Sequence, residues 1–243
     1  MSNGCFIGGD DVAAFLMIGQ SNMAGRGEMG DVEPIDNYRC FMLRNGRYVR
    51  MREPVNCDRS MFVGKFKSGI SLAASFADEY TKNFEGRVGL IPCADGGTEI
   101  DEWVPGDILY DHAVYMTKLA MRTSKFSGFL WHQGECNCLS EADFAGYKEK
   151  LVTLINSLRR DLNAYDVPFI MGELSHSYGE ENNFEDRPER LNKILYEIAE
   201  ELPLCAVVSS EGLVMKPDGL HFNSESLREF GKRYLKAYKS LVK

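Results

Sequence analysis

The sequence lacks three features that mark large classes of proteins: a membrane-length apolar run, a cluster of basic residues and a secretory signal. The longest apolar run lies near Val12–Ile18, whereas a transmembrane helix needs about 18 or more apolar residues. Acidic residues outnumber basic residues, 36 to 28, and the formal net charge is −8. This composition predicts that neither a membrane nor a nucleic acid is a partner of the protein.

The amino terminus, MSNGCFIGGDD, has no Lys or Arg before Arg26 and no long apolar stretch. A secretory signal needs a basic start and such a stretch, so we expect a cytoplasmic location. The seven cysteines, at positions 5, 40, 57, 93, 136, 138 and 205, are scattered, which favours reduced thiols over a disulfide framework. Cys136 and Cys138 lie near His132, but a structural zinc site needs four ligands in close pairs and no second pair exists. We therefore expect no metal and no other cofactor.

What the sequence does contain is an alternation of apolar runs and helical patterns along one domain, residues 1–243. Apolar residues make up 44% of the chain and charged residues 26%, as in an ordinary globular protein. The runs predict strands at Val12–Ile18, Tyr38–Leu43, Val88–Pro92, Gly128–His132, Phe169–Gly172 and Ala206–Ser209. The patterns predict helices at Ile70–Phe84, Ile108–Met121, Glu141–Leu162, Arg190–Leu202 and Ser224–Leu241. The alternation predicts an α/β fold with helices on both faces of a parallel sheet, and a ligand site beyond the carboxyl ends of its strands.

Two long segments fit no regular element. Glu28–Ser68 is rich in Gly, Arg and Asn, and Ser175–Pro188 is polar and acidic. Loops of this length are usually functional or mobile, and decoration of the surface is an equally open interpretation.

Ser21 follows the first predicted strand within the segment GQSNMAG, at a turn from strand to helix. The free amides and the dipole of a helix amino terminus favour the negative charge that develops beside a nucleophilic serine. A serine at such a point is also a common helix cap, so both roles are open. Met23 departs from the G-x-S-x-G pattern of the usual α/β-hydrolase turn.

Two further polar segments follow predicted strands. Gly96 and Gly97 either let the backbone approach a ligand closely or form an ordinary tight turn. Gln133 and Glu135, in the segment WHQGE, place polar groups at the edge of the sheet. The alternative interpretation of WHQGE is a simple strand end with a helix to follow.

A last polar segment lies near the carboxyl terminus, where Asp218 and His221 can face one site from a single loop. A lone histidine is more often structural, but an adjacent acid can hold its tautomer and stabilise the imidazolium. Taken together, the four segments supply every part of an acyl-transfer site. Ser21 is interpreted as the nucleophile, His221 as the base and Asp218 as the residue that orients the base. The amides of Ser21 and Gly97, with the side chain of Gln133, are interpreted as the oxyanion hole.

The blocks GQSNMAG, GGTEIDEW, WHQGE and DGLHF resemble those of the SGNH hydrolase superfamily. Within it they resemble the branch of the sialate O-acetylesterases and carbohydrate esterase family 6, which is related to acetylxylan esterases. The resemblance implies a flavodoxin-like α/β/α sandwich with a five-stranded parallel core sheet. It also implies an enzyme that deacetylates sugars without a metal.

The resemblance carries roles over to particular residues. It matches Ser21 with the family's nucleophile, Asp218 and His221 with its acid and base, and Gly97 with its amide-donating glycine. Gln133 stands where many SGNH enzymes have Asn. Trp103 matches the aromatic residue that closes its block, which implies packing under the site or contact with a sugar. Gly96 and Glu135 lie within the motifs without an assigned role.

Two departures from the family's blocks affect the surroundings of the site rather than the triad. Cys136 and Asn137 replace the Ser or Ala and the Asp that commonly follow HQGE, so loop geometry or substrate contacts are expected to differ. The segment Lys67–Gly69 lacks the Gly-Pro expected before the next helix, which affects the substrate rim.

The expected function is a serine esterase that removes O-acetyl groups from a small carbohydrate, such as acetylated sialic acid or xylo-oligosaccharides, through an acyl-enzyme. One alternative is an esterase or thioesterase that acts on a non-sugar acyl ester. The other is a catalytically silent carbohydrate-binding protein. The complete triad disfavours this alternative, because binding alone needs no Ser-Asp-His set. The oligomeric state is left open.

Overall fold

The computed structural model describes residues 11–56, 67–178, 184 and 186–242. Its strands are β1 (Val12–Gly19), β2 (Cys40–Arg44), β3 (Arg47–Arg50), β4 (Arg87–Pro92), β5 (Lys125–His132), β6 (Phe169–Gly172) and β7 (Cys205–Val208). Its α-helices are α1 (Ser21–Ala24), α2 (Leu72–Asn83), α3 (Ile108–Ala120), α4 (Glu141–Phe144), α5 (Tyr147–Asp161), α6 (Arg187–Glu201) and α7 (Ser224–Leu241). Short 3-10 helices occur at Ile100–Trp103 and Cys136–Cys138.

All of these strands belong to one sheet, with the order β3-β2-β4-β1-β5-β6-β7. Every neighbouring pair is parallel except β2 and β3. The five strands β4-β1-β5-β6-β7 follow the flavodoxin-like order 2-1-3-4-5, and the β2–β3 hairpin extends the sheet at one edge. The predicted α/β fold with a parallel core sheet is confirmed.

Strand β1 is apolar throughout because both of its faces are covered. Its residues Ala14, Leu16 and Ile18 pack into one core cluster together with α3, α5 and α6. The residues between them, Phe15 and Met17, pack into a second cluster with α2 and α7. Successive side chains of a strand point to opposite faces, so the sheet is the middle of three layers. Among the described helices, none combines the length and the apolarity needed to cross a bilayer.

Two elements differ from the predicted pattern. The single helix predicted at Glu141–Leu162 is two helices, α4 and α5, separated at Gly146, whose φ of 74° lies outside the helical region. The segment predicted as one long loop at Glu28–Ser68 contains β3, which pairs with β2 through a two-residue turn at Asn45 and Gly46. Both turn residues have positive φ, 48° and 75°, as a tight hairpin turn requires. The rest of the two predicted loops falls partly on residues 57–66, 179–183 and 185, which lie outside the described residues.

The sheet brings the segments that follow β1, β4 and β5 to one edge. The register pairs Gly19 with His132, the last residues of β1 and β5. Backbone hydrogen bonds continue the ladder beyond the strands: Gln20 N donates to the His132 carbonyl (2.9 Å), and Asp95 N donates to the Gly19 carbonyl (2.9 Å). Polar residues that follow different strands therefore start from fixed, adjacent positions.

Candidate active site

The structure brings Ser21, His221 and Asp218 together in one hydrogen-bonded line. His221 Nε2 lies 2.9 Å from Ser21 Oγ. On the other side of the ring, His221 Nδ1 lies 2.9 Å from Asp218 Oδ2. With a proton on Nδ1 facing the carboxylate, Nε2 is left as the acceptor for the serine hydroxyl. The three residues thus have the geometry that a nucleophile, a base and an orienting acid require.

Asp218 is held by its own loop as well as by the imidazole. Its Oδ1 accepts the backbone N–H groups of Leu220 (3.0 Å) and His221 (2.9 Å). Partial burial acts to raise the pKa of the Asp218 carboxyl, but these backbone bonds and the His221 ring outweigh it, so the pKa is lowered. The carboxylate is therefore charged at neutral pH and fixes the orientation of the ring.

Ser21 is the first residue of α1, directly after β1 and Gln20. All four residues of this short helix are buried, and Gln20 has extended backbone angles at the turn. The hydroxyl of Ser21 faces His221, and the residue lies inside the helix rather than at its cap position. The cap position of α1 is occupied by Gln20, and the Ser21 hydroxyl is hydrogen-bonded to His221.

Gly96 and Gly97 form the turn after β4 and lie beside Ser21. A Cβ atom on Gly96 would lie 3.5 Å from the Cβ of Ser21 and would collide with the guanidinium of Arg26. Gly97 has a φ of 77°, a conformation that glycine adopts at no steric cost. The absence of a side chain at Gly96 therefore leaves room for the guanidinium of Arg26 and lets the backbone of this turn lie close to Ser21. Sequence reasoning missed Arg26, and nothing in the pattern itself marked it.

Gln133 is placed differently from its predicted role as a third oxyanion donor. Its side chain is fully buried. Its Nε2 lies 2.6 Å from Asn137 Oδ1 and 2.9 Å from the Thr98 carbonyl, with Gln20 Oε1 at 3.3 Å. An amide has two N–H donors, and both are engaged within the protein. In this arrangement Gln133 holds the turn after Gly97 in place through the Thr98 carbonyl.

Asn137 explains why the Gln133 amide is oriented in this way. Asn137 Nδ2 donates to the Asp143 carbonyl (2.7 Å), and its Oδ1 accepts the N–H of Ile100 (3.0 Å). Its oxygen must therefore face Gln133, which in turn must present its nitrogen. Asn137 thus holds the loop after β5 together with the segments at Ile100 and Asp143.

Trp103 does not contact a sugar, and that prediction is corrected. The side chain is fully buried. Its ring packs edge-on against Trp131 at 5.7 Å, and its Nε1 donates to Thr98 Oγ1 (3.1 Å). The other implied role, packing under the site, matches this position, because Thr98 follows Gly97 directly.

The thiols of Cys136 and Cys138, at the departure from the family's block, have raised pKa values. Burial is the main cause in both cases: the pKa of Cys136 is raised to about 12, and the pKa of Cys138 is raised more strongly. Within the ranges that the structure describes, no group of three or more potential ligands is close enough to hold a metal ion.

Gln20 and Asn22, on either side of Ser21, are further site residues that sequence reasoning did not single out. Gln20 Oε1 lies 3.4 Å from the backbone N of Gly134. Asn22 Nδ2 lies 2.6 Å from Glu135 Oε1. Gly134 and Glu135 of the segment WHQGE thus hold Gln20 and Asn22, the chain neighbours of Ser21. These contacts link the block WHQGE to the block GQSNMAG.

A cavity of about 510 Å³ opens beside Asp95, the residue before Gly96. Polar residues line one part of it (Arg44, Asn45, Asn56, Asp95, His112 and Tyr115), and apolar residues line another (Leu43, Pro92, Cys93, Ala94, Met116 and Leu119). None of Ser21, Asp218 and His221 is among the lining residues.

Comparison with known proteins identifies the family of this chain and agrees with its fold. A family model described as carbohydrate esterase, sialic acid-specific acetylesterase, matches residues 11–240. A relative from Arabidopsis thaliana, named as a probable carbohydrate esterase, is 29% identical over 245 residues, which cover 93% of this chain and 90% of the relative.

Two solved structures are similar over nearly their whole length. The X-ray structure of an Arabidopsis thaliana protein has a TM-score of 0.83 and 26% identity, covering 95% of this chain and 98% of that chain. The crystal structure of NanS has a TM-score of 0.78 and 18% identity, with 97% and 98% covered. At that identity, the likeness to NanS concerns the fold.

Proposed function

Because the chain belongs to the family of carbohydrate esterases described as sialic acid-specific acetylesterases, we propose that it removes O-acetyl groups from carbohydrates with Ser21 as its nucleophile. Family membership makes the protein a carboxylic ester hydrolase, so the proposal concerns the residues and the substrate. The observation that carries it is the unbroken line of hydrogen bonds from Ser21 through His221 to Asp218.

The reaction would proceed in two halves through an acetyl-enzyme. His221 Nε2 takes the proton of Ser21 Oγ as that oxygen attacks the ester carbonyl. The protonated ring then donates its proton to the departing sugar oxygen, and Asp218 stabilises the charge on the ring in between. Water, deprotonated by the same nitrogen, attacks the acetyl group, and acetate leaves while Ser21 regains its proton.

The charge of the tetrahedral intermediate needs hydrogen-bond donors beside Ser21. The backbone amides of Ser21 and Gly97 fill this role in the proposal, since the turn at Gly96 and Gly97 lies against the serine. Gln133 supports the turn through the Thr98 carbonyl instead of donating directly.

The match with the family model of sialic acid-specific acetylesterases supports a carbohydrate as the alcohol part of the ester. Acetylated sialic acid and acetylated xylo-oligosaccharides are the two substrate classes proposed. The main alternative, a non-sugar acyl ester or thioester, would call for an apolar channel to hold the chain. A cytoplasmic location stays a prediction and would favour small sugars over intact polymers.

A substrate screen tests the proposal. The purified protein is assayed in the presence of EDTA for acetate release from acetylated sialic acids and acetylated xylo-oligosaccharides. Its turnover of 4-nitrophenyl esters of increasing chain length is measured in parallel. We expect acetate release from at least one sugar class and a steep preference for acetyl over longer esters. A preference for long-chain esters or thioesters would favour the main alternative, and sugar binding without any hydrolysis would favour a silent carbohydrate-binding protein.

A further inference from the structure

Asn22 connects the nucleophile with the loop that carries the base. It follows Ser21 directly, and its side chain is buried. Its Oδ1 accepts the backbone N–H of Phe222 (3.1 Å), and its Nδ2 lies 3.3 Å from the Leu220 carbonyl. Leu220 and Phe222 are the two chain neighbours of His221. One amide side chain therefore holds the loop on both sides of the base.

Glu135 determines which way this amide faces. Its Oε1 lies 2.6 Å from Asn22 Nδ2, and the carboxyl is buried. An ionised carboxylate only accepts hydrogen bonds, so Asn22 must turn its nitrogen toward Glu135. Its oxygen is then directed at the N–H of Phe222. Without Glu135, Nδ2 would keep only its longer bond of 3.3 Å to the Leu220 carbonyl, so the amide would be held less firmly against the loop.

The carboxyl of Glu135 is held in its charged form by its surroundings. Burial acts to raise its pKa, but His132 and the bond from Asn22 outweigh burial, so the pKa is lowered. His132 Nε2 lies 3.1 Å from the same Oε1. The hydroxyl of Tyr178 donates to the backbone carbonyl of Glu135 (3.0 Å), which fixes the position of the residue itself.

We infer that Glu135 is a positioning residue for the esterase reaction: it holds Asn22, and through Asn22 it keeps His221 within hydrogen-bond reach of Ser21. The inference rests on the proposed function of Ser21 and His221. A misplacement of about 1 Å in such a pair lowers the rate by as much as about 100-fold. A merely structural carboxylate would affect folding stability and leave the rate per folded molecule unchanged.

Glu173 provides a matched control elsewhere on the same edge of the sheet. It follows β6, is buried, and accepts the backbone N–H of Ser210 (2.7 Å). It also lies 3.3 Å from Nε2 of His176, three residues away, just as Glu135 lies beside His132. These bonds join the Glu173 carboxylate to Ser210 and His176 rather than to Ser21 or to the loop of His221. Its variants therefore report the cost of losing a buried carboxylate of this kind.

The experiment compares Glu135→Ala, Glu135→Gln, Asn22→Ala and the double variant Glu135→Ala/Asn22→Ala with Glu173→Ala and Glu173→Gln. For each, kcat and KM for 4-nitrophenyl acetate are measured well below the Tm. The rate of inactivation by a serine-directed phosphonate is also measured, because it reports the Ser21–His221 pair without deacetylation.

We expect Glu135→Ala to lower kcat by about 10- to 100-fold at nearly constant KM and to slow phosphonate inactivation to a similar degree. Glu135→Gln should recover most of the loss, because its amide oxygen can still accept from Asn22. The double variant should be no slower than the slower single variant, since residues that act as a unit are not additive. The Glu173 variants should differ from the wild type in Tm alone.

Three results would overturn the inference: a wild-type kcat in Glu135→Ala or in Asn22→Ala, additive losses in the double variant, or equal losses in the Glu135 and Glu173 variants. If Glu135→Ala does not fold, Asn22→Ala decides the matter, since a wild-type kcat in that variant would contradict the inference. A wild-type protein that hydrolyses no ester would instead contradict the proposed function, so the two failures are distinct.

Discussion

His221 Nε2 lies 2.9 Å from Ser21 Oγ, although the two residues are 200 positions apart in the chain. Ser21 is placed by the end of β1, and His221 by the loop that leads into α7. The proposed reaction depends on this contact, because the serine hydroxyl is a weak nucleophile until a base accepts its proton. The predictions below test the contact, its electrostatics and its supports.

The Asp218→Asn variant should lower kcat strongly while the protein stays folded. The Asn oxygen can still accept the backbone bonds of Leu220 and His221, but its NH₂ would face His221 Nδ1. That arrangement favours the tautomer whose Nε2 carries a proton and accepts nothing from Ser21. In a serine protease, the same change lowers kcat by about 10⁴-fold. Steady-state kinetics and a melting curve check this, and a kcat near the wild-type value would show that Asp218 does not orient the base.

Activity should rise with pH from the weakly acidic to the neutral range. The base must be neutral to accept the proton of Ser21, and histidines usually titrate between about pH 5 and 8. The lowered pKa of Asp218 keeps its carboxylate charged throughout this range. Because the pKa of Asp218 is lower in the folded than in the unfolded state, the ionised Asp218 stabilises the fold until the pH falls toward that pKa. The Tm should therefore begin to fall at a lower pH than the activity does. Profiles of kcat/KM and Tm against pH check this order, and activity that instead declined from acid to neutral pH would oppose His221 as the base.

Thiol alkylation should leave the activity intact, whereas a serine-directed phosphonate should abolish it. Burial raises the pKa of Cys40 and Cys136 to about 12, and the thiolate is the reactive form of cysteine. Cys5 and Cys57 lie outside the described residues, and their modification is expected to have no effect on the rate. Peptide mapping after treatment should locate the phosphonate on Ser21. Inactivation by iodoacetamide with protection by substrate would point to a cysteine nucleophile.

The Gln133→Ala variant should lower Tm and reduce kcat moderately. It takes the Gln133 donor away from the buried Thr98 carbonyl, and a buried acceptor left unpaired costs about 1–3 kcal/mol. Asn137 Oδ1 loses one of its two donors and keeps the N–H of Ile100. The turn that carries Gly97 would also loosen. A direct oxyanion donor would instead cost about 10²–10³ in kcat. Kinetics alongside a melting curve separate the two, and a loss of that size with an unchanged Tm would restore the donor role.

Much of the fold could be predicted because its signals are local. The apolar run of β1 and the pattern of α7 are set by burial over consecutive residues, and the bounds predicted for Phe169–Gly172 and Ser224–Leu241 are those of the structure. Strand β3 was missed because RYVR, with a charged residue at each end, lacks an apolar run. The break at Gly146 was missed because a single glycine is often tolerated inside a helical pattern.

Only those parts of the site that lie at the carboxyl ends of predicted strands could be predicted from the sequence. Ser21, Asp218 and His221 follow structural elements whose carboxyl ends meet, so their proximity was expected. The roles of Trp103 and Gln133 depend on what surrounds them. The residues next to them in the sequence do not show that distant segments bury them. The contact between Asn22 and Glu135, 113 residues apart, likewise has no local signal.

Acetate release by the Ser21→Ala variant is the most direct test of the central claim, with the acetylated sugar that the wild type turns over fastest as substrate. The methyl group of alanine fits the buried turn, so the variant should fold with a Tm close to that of the wild type. Without the nucleophile, we expect kcat to fall by about 10⁴-fold or more. Acetate release near the wild-type rate from the folded variant would contradict Ser21 as the nucleophile.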